Sequence, residues 1–203
     1  MPNENRGPLP AFYDNLDASL SEAWDLLIRA AADRRSPVHT ITIASVGLDG
    51  LPKVRTVVLR HTDAAARRIR FHTDFRSAKI AEFAVNSAVQ VLAYDPGRKI
   101  QLRLSGRALV HHAGDYARAA WQRSQPQSQL CYRQDAAPGS QGAQPLANPG
   151  MLLEPAAHDG EQNFAAVEIV IEEMDWLYLA AQGHRRARFR WPDGRLYAVW
   201  LAP

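Results

Sequence analysis

Residues 55–79, RTVVLRHTDAAARRIRFHTDFRSAK, hold two strand patterns, a polar loop and the start of a helix. The first strand pattern, RTVVLR, is apolar between two arginines, and alternation along a strand puts Arg55 and Arg60 on opposite faces unless the strand bends. The second, Ile69–Thr73, runs directly into a helix pattern over Ser77–Val85. This succession favours a mainly β fold with attached helices.

Further strand patterns flank this segment on both sides, and tight-turn sequences join them. Glycine, proline and aspartate mark turns at Gly47–Gly50, Asp95–Gly97 and Pro192–Gly194. Many short strands joined in this way are typical of an antiparallel barrel, and the whole chain, 1–203, is predicted to be one domain. The strands are predicted at Val38–Val46, Pro52–His61, Ala88–Tyr94, Lys99–His111, Phe164–Ile171, Trp176–Ala181, Arg186–Trp191 and Leu196–Leu201.

Two further helices and one long connection complete the predicted architecture. An amphipathic helix is expected near the N-terminus, at about residues 16–35, with Asp17 or Ser19 as its cap. Another helix is expected over Asp115–Gln125. The segment from about 125 to 162 is rich in glutamine, alanine, proline, glycine and serine, so it is either a functional loop, such as a lid, or partly disordered.

The charge of the chain argues against a nucleic-acid partner but leaves room for a phosphate ligand. The formal net charge is only +3, and the basic residues form no long run. Lysine occurs only at Lys53, Lys79 and Lys99, so nearly all the positive charge is arginine. The planar guanidinium suits bidentate contact with phosphate, although a compositional bias of the source organism explains the arginines equally well.

Cysteine and histidine give no sign of a metal site. Cys131 is the only cysteine, so neither an intrachain disulfide nor a cysteine metal cluster is expected. His111 and His112 are adjacent in a predicted strand and should face opposite sides. With no apolar signal core at the N-terminus and no apolar stretch of membrane-spanning length, the chain is expected to be cytoplasmic, with no membrane association.

The helix start within residues 55–79 is the clearest candidate for an anion site. Free backbone N–H groups at a helix start, with Arg76 and Lys79 beside them, suit a phosphate. Taken alone, the segment is equally an ordinary capped helix with surface charges. RTVVLR alone is better explained as an amphipathic strand whose terminal arginines are solvated.

Together, these two segments resemble the FMN-binding signature of the pyridoxamine 5'-phosphate oxidase-like family, in which an RxVxL[KR] strand precedes an [FY]xTxxxSxK segment. Gln101 with Gly106 is similar to the QxxxxG strand of that family, and residues 176–203, ending in LAP, are similar to its C-terminal segment. The resemblance covers most of residues 38–133 and 163–203. It implies an FMN-binding split β-barrel, an antiparallel Greek-key-like barrel that forms a homodimer with FMN at the interface.

The resemblance also implies cofactor-binding roles. Arg55 and Lys79 would hold the FMN phosphate, and Arg76 would stand in for a family arginine that is Ala78 here. Trp176 and Arg186 would reach the flavin of the partner subunit. The full set of implied cofactor residues is Arg55, Thr56, Val57, Val58, Arg60, His72, Thr73, Arg76, Ser77, Lys79, Gln101, Trp176 and Arg186.

For the substrate, the resemblance implies contacts from Arg60, Arg123, Ser128 and His184. The chain departs from the family at Gln182, where an arginine would be expected two residues before His184. No residue is assigned as a catalytic acid or base, since the flavin itself would carry the redox step.

The implied activity is hydride transfer from a small substrate to FMN, with oxygen as acceptor if the substrate is pyridoxamine phosphate. Two alternatives stay open. One is an FMN-dependent reductase that uses a nicotinamide cofactor, and the other is a non-catalytic flavin- or haem-binding split-barrel protein.

Overall fold

A computed structural model of the protein describes residues 8–145 and 160–203. All strand pairs in it are antiparallel, in the order β3-β2-β1-β4-β5-β6-β7-β8, and an additional β3–β6 pairing closes the first six strands into a barrel. The prediction of a mainly β barrel is confirmed. The strands are β1 (Thr40–Val46), β2 (Pro52–Asp63), β3 (Arg68–Asp74), β4 (Ala88–Asp95), β5 (Ile100–His111), β6 (Phe164–Tyr178), β7 (Arg185–Arg190) and β8 (Tyr197–Leu201).

Strand β6 is continuous, so the prediction of two separate strands over Phe164–Ile171 and Trp176–Ala181 is wrong. The acidic stretch of residues 172–175 broke the apolar pattern in the sequence. In the structure these carboxylates pair with arginines on the neighbouring strands, as Glu172 does with Arg107 and Asp175 with Arg103. A strand can therefore run through the acidic residues because their charges are compensated from the side.

The length of β6 lets it join the barrel to the extension. Its first half pairs with β3, its second half pairs with β7, and β5 follows it along nearly its whole length. Strands β7 and β8 thus extend the sheet beyond the barrel wall. This extension carries Arg186, one of the two residues that the resemblance assigned to the flavin of the partner subunit.

The helices are α1 (Leu16–Ala32), α2 (Ala78–Val85), α3 (Asp115–Gln122) and the single turn α4 (Pro126–Gln129). Neither Asp17 nor Ser19 caps α1. The cap is Asn15, whose Oδ1 accepts from the Ala18 N–H at 2.9 Å. Ser19 is buried, and its hydroxyl donates to the Asn15 carbonyl at 2.8 Å.

The core lies inside the barrel and is closed on one side by α1. Alternate residues of each strand point inward, which is why single residues such as Ile43, Leu59 and Leu104 have no exposed surface. From α1, Leu26, Leu27 and Ala30 join the same core. Within the described residues, no helix is long and apolar enough to cross a membrane.

The predicted long connection is described in part. After α4 come a 3₁₀ turn at Leu130–Tyr132 and an irregular stretch to residue 145, and a second 3₁₀ turn at Glu161–Asn163 leads into β6. The rest of the predicted long connection, 146–159, and the first seven residues lie outside the described part of the chain.

Candidate functional site

Strand β2 sends its two bracketing arginines to different places. Arg55 points inward, toward Ser45 on β1 and Glu82 on α2. Alternation along β2 puts Arg60 on the outer side of the barrel, as predicted, and a bulge lies there because the pairing of β2 with β3 shifts between Leu59 and His61. The two arginines therefore belong to two separate groups of polar residues.

The inward group forms where β3 ends and α2 begins. Lys79 Nζ donates to Thr73 Oγ1 at 2.9 Å and to Ser77 Oγ at 3.0 Å. Ser77 is the N-cap residue of α2, but its hydroxyl donates to the Asp74 carbonyl at 2.6 Å instead of capping the helix. We call this group the Lys79 cluster, made of Arg55, Thr73, Ser77, Lys79 and Glu82.

Burial and neighbouring charges set the electrostatics of the Lys79 cluster. Burial lowers the pKa of Lys79, and the nearby Arg55 guanidinium lowers it further, while Glu82 acts in the opposite direction. Glu82 is 6% exposed and binds Arg55 Nη2 through Oε2 at 2.7 Å. The cluster therefore brings two cations and two hydroxyls together around one buried carboxylate.

Arg76 lies outside the Lys79 cluster. Its guanidinium binds the Asp74 carboxylate at 2.8 Å and 3.0 Å and donates to the carbonyl oxygens of Gln134 and Asp135 at 2.7 Å and 2.8 Å. These contacts tie the start of the 134–145 stretch to the end of β3. The structure therefore gives Arg76 an anchoring role and does not support the expectation that it replaces the missing family arginine.

A second polar group lines a cavity of about 370 Å³ between the end of α1, the outer side of β2 and β3, and the segment α3–α4. Three of the predicted substrate residues, Arg60, Arg123 and Ser128, meet here, with Arg60 Nη2 3.4 Å from Ser128 Oγ. None of the lining residues is acidic, and we call the cavity the arginine pocket. It is lined by Ala31, Ala32, Arg34, His39, Arg60, His61, Arg70, His72, Ala120, Arg123, Ser124, Gln125 and Ser128.

His72 lies in the wall of the arginine pocket, away from the Lys79 cluster. The resemblance placed both His72 and Thr73 among the cofactor-binding residues, but neighbouring residues in a strand face opposite sides. Burial, together with the charges of Arg70 and Arg60, lowers the pKa of His72 to about 3. Its Nδ1 is 3.4 Å from Ser124 Oγ, and its buried Nε2 has no hydrogen-bond partner within the described residues. His72 is therefore a neutral imidazole beside two guanidinium groups.

A network behind the arginine pocket holds Arg70, to which no sequence motif pointed. Arg70 Nη1 donates to the Tyr116 hydroxyl at 3.3 Å, and its guanidinium lies 5.7 Å from the centre of the Tyr116 ring. Burial raises the pKa of Tyr116, as does the hydrogen bond that its hydroxyl donates to Glu168. Glu168 is itself buried and binds Arg68 at 3.3 Å and His111 Nε2 at 3.0 Å. Arg70 could have been predicted from its position two residues before His72 on the same strand face.

The remaining predicted cofactor residues lie on the outer face of β5, β6 and β7. Gln101 is in register with Leu177, and Leu177 with Arg186, so the three side chains share one face of the sheet. Trp176 points the other way and has no exposed surface, so the expectation that it contacts a flavin is corrected. The outward residue at this level is Leu177, because a shift of one position in a strand exchanges the two faces.

A row of charges and apolar side chains continues this outer face. Asp175 accepts from Arg103 at 2.6 Å and from Arg186 at 2.8 Å. Although burial opposes ionisation, these two hydrogen bonds lower the pKa of Asp175. Leu92 and Val199, in the same row of the sheet, are 41% and 45% exposed. We call this surface of β4–β8 the outer face.

Four further predicted residues also lie outside both polar groups. Thr56 and Val58 point outward from β2, and Val57 points into the barrel. His184 is exposed in the turn between β6 and β7, and its carbonyl accepts from Arg185 Nη1 at 3.1 Å. The chain thus brings the predicted phosphate residues together and the predicted substrate residues together, while Gln101, Arg186 and His184 lie apart from both groups.

Known proteins resemble this chain in sequence over about half of its length. The family described as "Pyridoxamine 5'-phosphate oxidase, FMN-binding domain" matches residues 21–112. Pyridoxine/pyridoxamine 5'-phosphate oxidase 2 of Arabidopsis thaliana is 33% identical over 95 residues, which are 45% of this chain and 48% of that protein. The chain therefore matches about half the length of this curated relative.

Two solved structures share the fold over almost the whole chain. A pyridoxamine 5'-phosphate oxidase-related, FMN-binding protein from Nostoc punctiforme is 20% identical, with a TM-score of 0.74, and the match covers 96% of this chain and 98% of that one. PhzG from Burkholderia lata, solved with tetrahydrophenazine-1-carboxylic acid, is 19% identical, with a TM-score of 0.72, and the match covers 97% and 98% of the two chains. At these identities, the likeness establishes the fold.

Proposed function

We propose that the chain is an FMN-dependent oxidoreductase of the pyridoxamine 5'-phosphate oxidase-like split-barrel family that acts on a small anionic substrate. The family match over residues 21–112 and the 33% identity to the Arabidopsis relative over 95 residues support this proposal. The observation that carries the proposal is the Lys79 cluster. Residues of β2, β3 and α2 that are up to 27 positions apart in the sequence, from Arg55 to Glu82, meet there beside the half-buried ammonium group of Lys79.

The chemistry of the Lys79 cluster fits a phosphate monoester. The two hydrogen bonds of Lys79 go to neutral hydroxyls, and no carboxylate of the described residues lies within ion-pair distance of its Nζ. Arg55 uses Nη1 and Nη2 toward Ser45 and Glu82, and its guanidinium has further N–H donors for a phosphate oxygen. A phosphate held by both cations would gain charge-assisted hydrogen bonds in a largely desolvated setting.

We assign the FMN phosphate to Arg55, Lys79, Thr73 and Ser77. When bound, FMN supplies two-electron chemistry by accepting a hydride from a reduced small molecule. The protein supplies binding, orientation and electrostatics. His72, which stays neutral beside Arg60 and Arg70, contributes polarity to the arginine pocket without adding a further charge.

The arginine pocket is the proposed substrate site. Four arginines and no acidic residue line it, so it favours a substrate with a phosphate or carboxylate group. Since Gln101, Arg186 and His184 lie away from this pocket, we propose that a second copy of the chain brings its own three residues to the flavin. The outer face, which carries Gln101 and Arg186 together with the exposed side chains of Leu92 and Val199, is the surface proposed for this homodimer.

The second candidate keeps FMN and changes the substrate. Gln182, in the exposed turn beside His184, is neutral where the family pattern has an arginine. A turn without this charge favours a substrate other than pyridoxamine phosphate, such as a nicotinamide cofactor that reduces FMN. A flavin-binding protein without turnover is the remaining outcome of the test.

Turnover separates these candidates. Purified protein loaded with FMN is mixed with pyridoxamine 5'-phosphate in air, and pyridoxal 5'-phosphate, hydrogen peroxide and oxygen uptake are followed. Equal amounts of the aldehyde and peroxide support the oxidase. Bleaching of the flavin only by a reduced nicotinamide cofactor, measured without oxygen, supports the reductase, and no bleaching by either compound contradicts an oxidoreductase acting on them.

A further inference from the structure

Glu82 is the one acidic member of the Lys79 cluster, and no motif in the sequence pointed to it. It lies one helical turn after Lys79 on α2 and is 6% exposed. Its Oε2 accepts from Ser45 Oγ at 2.5 Å and from Arg55 Nη2 at 2.7 Å. The same guanidinium also donates to Ser45 Oγ, so three side chains from β1, β2 and α2 form a closed triangle.

A buried carboxylate in this place has two opposite effects on an anionic ligand. It compensates the charge of Arg55, which stabilises the folded chain because an unpaired buried charge is costly. It also repels a phosphate at the same cations, since screening is weak inside a protein. Glu82 reaches both cations, because its charge also opposes the lowering of the Lys79 pKa that burial and Arg55 cause.

We propose that Glu82 is an internal counter-anion for the phosphate site: it stabilises the fold by pairing with Arg55 and thereby weakens the binding of FMN. The inference rests on the proposed assignment of the FMN phosphate to the Lys79 cluster. In this role Glu82 is a positioning residue that sets the affinity for the cofactor. Its charge stabilises the folded chain and lowers the affinity for FMN.

The test is Glu82→Gln, which removes the charge while its amide oxygen still accepts from Arg55 and Ser45. FMN and riboflavin are titrated by the quenching of their fluorescence, and the midpoint of thermal unfolding is measured without flavin. We expect FMN to bind about five- to tenfold more tightly, riboflavin to change less than twofold, and the unfolding midpoint to fall. A purely structural role would weaken or leave unchanged the binding of both flavins, and either result overturns the proposal.

Asp95→Asn is the matched control. Like Glu82, Asp95 is buried and pairs with an arginine, Arg98, but it lies at the end of β4 and is not a member of the Lys79 cluster. This control should lower the unfolding midpoint without changing the ratio of FMN to riboflavin affinity. If Glu82→Gln does not fold, Glu82→Met removes the same charge at similar volume and carries the same expectation.

A measurement with inorganic phosphate distinguishes failure of this inference from failure of the proposed function. If the unmodified protein binds neither flavin, the proposed FMN function fails. The rise of the unfolding midpoint with added phosphate then decides the role of Glu82. A larger rise in Glu82→Gln than in the unmodified protein supports the counter-anion, and an equal or smaller rise overturns it.

Discussion

Lys79 and His72 are only seven residues apart, but the fold places their side chains in different electrostatic surroundings. Burial lowers the pKa of both side chains, but Lys79 donates to two hydroxyls and has a carboxylate nearby, whereas His72 faces two arginines. The ammonium group of Lys79 is thus placed to bind an anion. The histidine is held neutral, and its contribution to the arginine pocket is polar rather than charged.

Lys79→Met should weaken FMN binding by about 10- to 100-fold, the range expected for losing a charge-assisted hydrogen bond of about 1.5–3 kcal/mol. Riboflavin has no phosphate, so its affinity should change little. Fluorescence titration with both flavins makes the measurement. Lys53→Met is the control, since Lys53 pairs with Asp49 at the surface, and equal losses in the two variants would contradict a phosphate contact from Lys79.

His72 should make the folded chain less stable in acid. Its pKa falls from 6.5 to about 3 on folding, so the unfolded chain binds the extra proton between these values and the folded chain does not. The free energy of unfolding therefore falls as the pH drops through this window, with a contribution of up to about 1.4 kcal/mol per pH unit. Urea unfolding at pH 4 to 7 should show a shallower pH dependence in His72→Gln than in the exposed-loop control His184→Gln; parallel curves would contradict the buried neutral imidazole.

At the scale of elements, alternation and turn residues were enough to place most strands and helices within one or two residues. The predicted β4, Ala88–Tyr94, ends one residue later, and the predicted helix Ser77–Val85 begins at Ala78 with Ser77 as its N-cap. The sequence pattern could not show that β6 is one continuous strand. The charges that interrupt its apolar pattern are compensated by arginines that are distant in the sequence.

The bulge between β5 and β6 explains the glycine of the QxxxxG motif. The register shifts between Ser105 and Gly106, and a Cβ on Gly106 would lie 2.1 Å from the Val170 carbonyl oxygen, which belongs to the backbone and cannot rotate away. The close approach of two strands thus requires glycine here without a positive φ.

Gly106→Ala should lower the free energy of unfolding by about 2–3 kcal/mol, because the strands must separate to admit the methyl group. Urea unfolding measures this loss. Gly97→Ala is the control, since its added Cβ would meet only the Asp95 carboxylate at 3.3 Å. Equal stability of the two variants would show that the β5–β6 contact is looser than described.

At the scale of the whole molecule, the proposed site residues lie in three places: the Lys79 cluster, the arginine pocket and the outer face. Sequence motifs pointed to nearly all residues of the proposed sites, including the arginines proposed for the FMN phosphate and for the substrate. It could not separate His72 from Thr73, or choose Leu177 over Trp176, because these distinctions depend on strand register. No sequence motif pointed to Glu82 or Arg70, because their roles depend on partners on other helices and strands.

Val199→Asp should dissociate the proposed homodimer and weaken FMN binding at least tenfold, since a charge would be buried in an apolar contact. Light scattering during gel filtration gives the mass, and fluorescence titration gives the affinity. Val85→Asp, on α2 at 77% exposure, is the control and should leave both unchanged. An unmodified protein that is monomeric while it binds FMN tightly would contradict the shared site.

The measurement that tests the central claim most directly is the uptake of FMN by the purified protein. After any pigment has been released by heat and identified, fresh protein is titrated with FMN and followed by visible absorption. We expect a flavin spectrum with one FMN per chain and tighter binding of FMN than of riboflavin. A colourless protein that takes up no added FMN would contradict the claim, and the motifs would then reflect the shared fold alone.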